Sequence, residues 1–187
     1  MRFGLTKEHF VFFHKHKYLE LEELMTKKEI DAILDATANY NAWKTSGHLK
    51  NIILSSPLGE LASHFSKTLT LRIAYDRIIT DPTPFEGLNL IETSAIRPIA
   101  SGVLIQLDSY DGENPLIPKQ KGSGTFVAPY LPLTFPERCH LLLIAYTTSK
   151  AFYVHEPRDP NCHALKKEDY AFNDRLRSET HPIVYTR

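Results

Sequence analysis

The chain has 187 residues and carries 22 Lys and Arg against 22 Asp and Glu, so its formal net charge is zero. This length accommodates one domain with a single sizeable core. The balanced charge argues against the basic excess that is typical of nucleic-acid-binding proteins.

The cysteines and the apolar segments indicate where the protein resides. No apolar run approaches the roughly 18 residues that a membrane span needs, and the opening residues are too polar for a signal peptide. Cys139 and Cys162 are typical of free thiols in a reducing compartment. We therefore expect a soluble, cytoplasmic protein without a membrane partner.

The first 66 residues favour helices. Thr6 is a candidate cap for a helix that ends near His16, and residues 18–21 alternate like a short strand. Thr26 and Glu29 form a capping box ahead of a second amphipathic helix. Two more helices are predicted, from about Ser46 and from the pair at residues 56–57, where a proline at the first helical position loses no needed donor.

From residue 68 the hydrophobic period changes to two. Residues 69–76 alternate like a half-buried strand that continues to residue 79, and two prolines then end it. Further strands are predicted at residues 88–91, 102–107, 122–128 and 140–146, with a loop at 108–114 and a polar, irregular end carrying one helix near 165–170. This order predicts an α+β, mainly β domain, an antiparallel barrel or jelly roll with N-terminal helices.

We expect one domain that spans residues 1–187. Within it, residues 1–66 would form a helical part packed on the barrel, residues 67–158 the barrel itself, and residues 159–187 a C-terminal tail. No internal repeat or low-complexity segment divides the chain further.

Several short motifs run through the chain in an order that matches a known family. They lie at residues 5–13, 18–21, 28–30, 43–46, 58–62, 71–77 and 169–176, followed by His181-Pro182. In this order the chain resembles phytanoyl-CoA dioxygenase-like proteins. The resemblance implies a double-stranded β-helix that binds Fe(II) and 2-oxoglutarate, with the iron held by two histidines and one carboxylate.

The positions that the resemblance assigns to the metal hold other residues. In the family a His-x-Asp/Glu pair follows a Thr-Pro-aromatic triplet. Here residues 83–85 form the triplet, and the next positions hold Glu86 in place of the histidine and Leu88 in place of the acid. None of the nine histidines is followed two residues later by Asp or Glu, and none lies between His64 and His140.

The second family histidine precedes, by about ten residues, an arginine that pairs with 2-oxoglutarate. Arg138 is the natural counterpart of this arginine, and residues 127–131 before it contain no histidine. We therefore predict no catalytic residue, no metal site and no resident cofactor. A 2-oxoglutarate-like acid at Arg138 and a degenerate metal position at Glu86 are the candidate ligand contacts. The alternatives are a surface arginine and an exposed loop carboxylate.

The leading interpretation is a non-catalytic binding or interaction module whose partner is an unknown protein or small molecule. A second is an enzyme that uses the barrel for other chemistry, with a relocated metal site involving Glu86 or His140. A third is a metal-responsive DNA-binding regulator, suggested only by a lysine cluster at positions 7, 15, 17, 27 and 28, which is also typical of a solvated helix face.

Two other histidine groups were weighed as metal sites. His9 and His16 share a helix face, and Cys162-His163 lies downstream of His155. Neither group has the paired spacing of a zinc site, so solvent exposure or packing explains both better.

Overall fold

The computed structural model describes residues 4–55 and 57–187. Its helices are α1 (Lys7–His16), α2 (Lys27–Leu34), α3 (Gly47–Ser55) and α4 (Leu58–Ser66). Its strands are β1 (Tyr18–Leu21), β2 (Thr70–Ile79), β3 (Ile96–Gln106), β4 (Gly124–Val127), β5 (Leu141–Tyr153) and β6 (Ile183–Thr186). Short 3-10 turns lie at Ala42–Lys44, Thr83–Phe85 and Ala164–Glu168.

The predicted starts of α1, α2 and α3 are confirmed. The Glu29 carboxylate accepts a hydrogen bond from the Thr26 backbone N–H at 2.7 Å, and the Glu29 N–H donates to the Thr26 hydroxyl at 3.3 Å. This reciprocal capping box satisfies two donors that the first turn of a helix leaves free. Helix α1 follows Thr6, as predicted. The expected cap at Ser56 lies outside the described residues, and α4 begins directly after Pro57.

The strands form one antiparallel sheet that curls into a half-barrel. Its order is β1-β4-β3-β5-β2-β6. Strand β1 precedes three of the four helices in sequence, and β6 lies near the end of the chain, so both ends contribute to the same sheet. The division of the chain at residues 66 and 158 stays a prediction.

Each face of the sheet packs against its own hydrophobic core. Along β5, Leu142 and Ile144 point into a core that the helices cover, here called the helix-side core. Leu141 and Leu143 point the other way, into what we call the inner core. The inner core is closed by apolar residues from the connecting segments, including Leu90, Leu116, Leu133, Leu165 and Leu176.

This double covering corrects the expectation of a half-buried strand at residues 69–79. Nine of the ten residues of β2 are buried, because both faces of the strand are covered. Leu69 lies before the strand and is 64% exposed. In a strand that is covered on both faces, successive residues are all buried, whereas in a half-buried strand only every second residue is.

A β-bulge in β2 reverses which side chains face each core. On β5, Tyr146 pairs with Ile73 and its neighbour Ala145 pairs with Tyr75, so Ala74 is an extra residue in β2. The bulge shifts the alternation by one position. Odd-numbered residues before it, such as Ile73, face the helices, whereas Tyr75 and Ile79 after it face the inner core.

Two secondary-structure predictions are wrong. Residues 88–91 form a turn rather than a strand, because the Asn89 side chain accepts hydrogen bonds from the Ile91 and Glu92 N–H groups and so competes with sheet pairing. The end of the chain is not wholly irregular, since β6 pairs with β2. Strands β3 and β5 are also longer than predicted. Within the described ranges, no helix is long and apolar enough to cross a bilayer.

Candidate functional site

Glu86 and Leu88 follow the short turn at Thr83–Phe85. Glu86 is exposed, and its carboxylate accepts a hydrogen bond from the Phe135 N–H at 2.8 Å. Leu88 is half-buried, and its carbonyl accepts a bond from the Leu133 N–H at 2.9 Å. The segment therefore pairs with residues 133–135, and the Glu86 carboxylate holds that pairing together.

The stretch expected to hold the second histidine leaves the sheet. Val127 is the last residue of β4 and is fully buried in the inner core. The chain then turns outward, and Tyr130 is 76% exposed. Neither residue is the histidine that the two-histidine, one-carboxylate set requires.

Arg138 is exposed and lies three residues before β5. Its side chain makes no hydrogen bond or ion pair with any described residue, Glu86 included. Burial raises the pKa of the neighbouring Cys139 thiol to about 11, and the carboxylates of Asp81 and Glu86 add to the rise. The carboxylates of Asp81 and Glu86 thus act on Cys139, whereas Arg138 makes no direct hydrogen bond or ion pair with Glu86.

A buried ion pair lies in the inner core. Arg77, on β2 after the bulge, donates from Nη2 to Asp159 Oδ1 at 3.1 Å, and the two side chains are 4% and 1% exposed. The Asp159 carboxylate also accepts from the Ala95 and Asn161 N–H groups, both at 2.8 Å. The aspartate is therefore fully bonded, as a buried charge needs to be.

Aromatic rings surround the Arg77 guanidinium. Its central carbon lies 4.5 Å from the centroid of the Phe85 ring, 5.1 Å from that of Tyr40 and 5.3 Å from that of Tyr75. The Nε and Nη1 atoms are buried and have no hydrogen-bond partner among the described residues. The faces of aromatic rings attract cations electrostatically, and this attraction offsets part of the free-energy cost of leaving those two atoms without hydrogen bonds. Phe85, which contacts this cation, directly precedes Glu86 in the chain, the position where the resemblance places a metal ligand.

Asp76, the residue before Arg77, links the sheet to the helical part by hydrogen bonds. Asp76 accepts hydrogen bonds from the Ala42 and Trp43 N–H groups, both at 3.1 Å. Burial raises the pKa of Asp76 to about 6, although those two N–H groups pull it down. Successive strand residues point to opposite faces, and after the bulge Asp76 faces the helices and Arg77 the inner core.

The residues present do not fit an iron site of the implied kind. Across residues 4–55 and 57–187, no three His, Cys, Asp or Glu side chains come together as a metal-ligating group. His140, weighed as part of a relocated site, is half-buried, and its carbonyl accepts from the Leu107 N–H at 2.9 Å.

The other histidine groups have local structural contacts. His9 Nδ1 accepts from the Thr6 N–H at 3.1 Å, so it caps α1, and His16 stacks on Phe12 at 4.3 Å between ring centroids. The rings of His155 and His163 stack at 5.9 Å. The buried Cys162 Sγ accepts from the Glu156 N–H at 3.2 Å.

Sequence reasoning missed the Arg77–Asp159 pair. The partners are 82 positions apart, and the alternation of β2, read without the bulge, gives Arg77 the wrong face. A charged residue in the middle of an apolar strand was the one available signal, since such residues are buried only when paired.

Comparison with known proteins gives a fold but no family. No protein-family model matches the chain, and no curated protein does. Among solved structures it is similar to the non-heme alpha ketoglutarate dependent carbocyclase SnoK from nogalamycin biosynthesis, with a TM-score of 0.73, 12% identity and 96% of each chain covered. It is also similar to the alpha ketoglutarate dependent epimerase SnoN, with a TM-score of 0.66, 11% identity, and 95% of this chain and 98% of SnoN covered.

A third similar structure is CT296 from Chlamydia trachomatis. Its TM-score is 0.57 and its identity 18%, with 79% of this chain and 97% of CT296 covered. At identities this low the likeness concerns the fold alone. The chain thus has the fold of the non-heme 2-oxoglutarate-dependent oxygenases, without a detectable metal-ligating group in the part of the chain that the structure describes.

Proposed function

We propose that this chain is a double-stranded β-helix protein of the phytanoyl-CoA dioxygenase-like type that serves as a binding or interaction module and performs no iron chemistry. The observation that carries the proposal is the Arg77–Asp159 pair in the inner core. It puts a guanidinium beside Phe85, one residue before the expected metal position.

The ion pair and the ligand chemistry support the proposal together. The interior beside Phe85 is occupied by the Arg77–Asp159 ion pair rather than by free metal ligands. The Asp159 carboxylate is already bonded by three N–H donors. Leu88 has no lone pair, and one exposed carboxylate, Glu86, does not make the two-histidine, one-carboxylate set that holds non-heme iron.

The proposal includes no resident cofactor. A single exposed arginine such as Arg138 binds an acid weakly, because solvent screens its charge. The expected partner is a small molecule or another protein, with no nucleic acid or membrane involved. The thiols of Cys139 and Cys162 are not joined in a disulfide, and we propose a cytoplasmic location on that basis.

The test is an anaerobic calorimetric titration of the purified chain with Fe(II) in the presence of 2-oxoglutarate, paired with a succinate-release assay in air. We expect no stoichiometric Fe(II) uptake and no succinate above a no-protein control. Tight one-to-one iron binding or catalytic succinate release would overturn the proposal.

Matched variants locate any iron that does bind. If Glu86→Gln and His140→Gln each abolish binding, a relocated site that uses these two residues replaces the proposal. The exposed Glu60→Gln, in the first turn of α4, is the control and should leave any such binding unchanged.

A further inference from the structure

A cavity lies on the opposite side of the sheet from the Arg77–Asp159 pair. It has a volume of about 410 Å³ and opens where the ends of α1 and α4 meet the segment after β4. Its apolar wall is formed by Phe13, Phe65, Ala100, Ala128, Leu131 and Pro132. Ligand pockets in proteins commonly have volumes of this order.

Two polar side chains that line this cavity each have a buried atom without a partner. They are His14, through Nε2, and Ser66, through Oγ. A buried polar atom left without a hydrogen bond destabilises the folded protein, because its lost contact with water is not replaced. Two such atoms on one cavity are available to bond a molecule held there. The larger groove between α2 and α3 has no such atom among its described side chains.

The charges around the cavity indicate the sign of the ligand. Lys17 lies on its lining, and Lys67 follows Ser66 directly. Burial lowers the pKa of His14, and the nearby charges of Lys67 and Lys17 lower it further. His14 is therefore neutral at pH 7, and its Nε2 donates a hydrogen bond in one of its two tautomers. His14 Nε2–H and the Ser66 hydroxyl thus provide two hydrogen-bond donors. Both lie near the positive charges of Lys17 and Lys67.

We propose that this cavity binds a small carboxylic acid with an aromatic or branched apolar body. The carboxylate accepts hydrogen bonds from His14 and Ser66 and lies near Lys17, and the body packs between Phe13, Phe65 and Leu131. The inference deepens the binding role proposed above and rests on it. Iron uptake and acid binding are measured separately, so either proposal can fail alone.

The test is a titration of the full chain with 3-phenylpropionate, followed by two-dimensional amide NMR and by calorimetry. We expect saturable binding that perturbs the amides of residues 13–17, 65–67, 128, 130 and 131. Two control compounds are the neutral 3-phenylpropanamide, which lacks the carboxylate, and acetate, which lacks the apolar body. Each should bind at least about tenfold more weakly, since a lost contact of about 1.4 kcal/mol corresponds to a tenfold change in affinity.

Variants identify the side chains involved. Ser66→Ala and His14→Gln should each weaken 3-phenylpropionate binding about five- to tenfold, whereas His16→Gln, exposed on the same helix, should leave it within about twofold. Lys17→Gln should weaken binding of the acid but not of the amide. Ala128→Leu, which fills the cavity, should abolish binding while the amide spectrum stays folded.

Three results would overturn the inference. They are no saturable binding of 3-phenylpropionate at millimolar concentration, perturbations confined to another part of the chain, and equal affinities for the acid and the amide.

Discussion

The buried polar groups on the two faces of the sheet have different surroundings. In the inner core, Asp159 is bonded by three N–H donors and neutralises Arg77. On the helix side, His14 and Ser66 line a cavity with polar atoms that bond to nothing in the described chain. In the inner core the unbonded Arg77 Nε and Nη1 atoms are enclosed by the rings of Phe85, Tyr40 and Tyr75, whereas the unbonded atoms on the helix side line an open cavity.

This difference bears on where function resides. In the structurally similar alpha ketoglutarate dependent proteins the shared fold accompanies a non-heme activity, but a fold does not fix a function. Here the interior is filled by an ion pair, aromatic rings and aliphatic side chains. The cavity proposed to bind a small acid lies instead between the ends of α1 and α4 and the segment after β4.

The largest expected effect comes from breaking the inner ion pair. Asp159→Ala leaves the Arg77 charge buried and unpaired, and we expect a loss of about 3–5 kcal/mol in the free energy of unfolding, measured by urea denaturation. Replacing both partners, as in Arg77→Met with Asp159→Leu, should recover much of that loss.

The matched control is Arg158→Ala, which removes the exposed ion pairs to Glu92 and Glu156. Exposed pairs contribute about 0–1 kcal/mol. Equal losses for Asp159→Ala and Arg158→Ala would contradict the assignment of the inner pair as the buried structural contact.

A second effect is a pH dependence from His181, which is fully buried and lies 6.0 Å from the Tyr170 ring at the edge of the inner core. Burial first, and then the charges of Lys44, Arg72 and Arg177, lower the pKa of His181 to about 3. A histidine whose folded pKa is depressed contributes stability above its unfolded pKa, and that stability is lost as the pH falls from about 6.5 towards 3.

The largest slope from one such group is about 1.4 kcal/mol per pH unit. Asp76 acts in the opposite direction, since its raised pKa adds stability as the pH falls from about 6 to about 4. We therefore expect His181→Gln to lose less stability than the wild type between pH 6.5 and pH 4. Parallel stability curves for the two proteins would show that His181 does not titrate in this way.

A smaller effect is expected on the helix side. Thr26→Ala removes the hydroxyl of the α2 capping box, and we expect a loss of about 1 kcal/mol in unfolding free energy. Thr26→Ser keeps the hydroxyl and should restore most of the loss. If Thr26→Ser is as destabilising as Thr26→Ala, the hydroxyl is not the stabilising group.

The smallest effect is expected at the degenerate metal position. Glu86→Gln keeps a side-chain oxygen for the Phe135 N–H, so we expect a change in thermal stability worth less than about 1 kcal/mol. Metal content should not change. A large stabilisation by divalent metal in the wild type that Glu86→Gln removes would show that Glu86 is a ligand after all.

The helix-side elements were predictable because their signals are local. The capping box joins residues three apart, and apolar spacing identified α1 to α4. The inner core was not predictable in this way. Arg77 meets Asp159 across 82 positions, Glu86 meets the Phe135 N–H across 49, and the bulge at Ala74 reverses the face that simple alternation assigns.

The candidate site shows the same limit. Leu88 and the missing histidines were readable from the sequence because the absence of a residue type needs no geometry. The cation beside Phe85, and the cavity of His14 and Ser66, depend on how distant segments pack, and no spacing within the sequence encodes either one.

The most direct test is a crystal structure of the protein soaked with Mn(II), as a redox-inert substitute for Fe(II), together with 2-oxoglutarate. We predict no density for metal or 2-oxoglutarate beside Glu86 and Arg138, with the Arg77–Asp159 pair intact. A metal ion bound at Glu86, or 2-oxoglutarate bound to Arg138 in the barrel, would contradict the account.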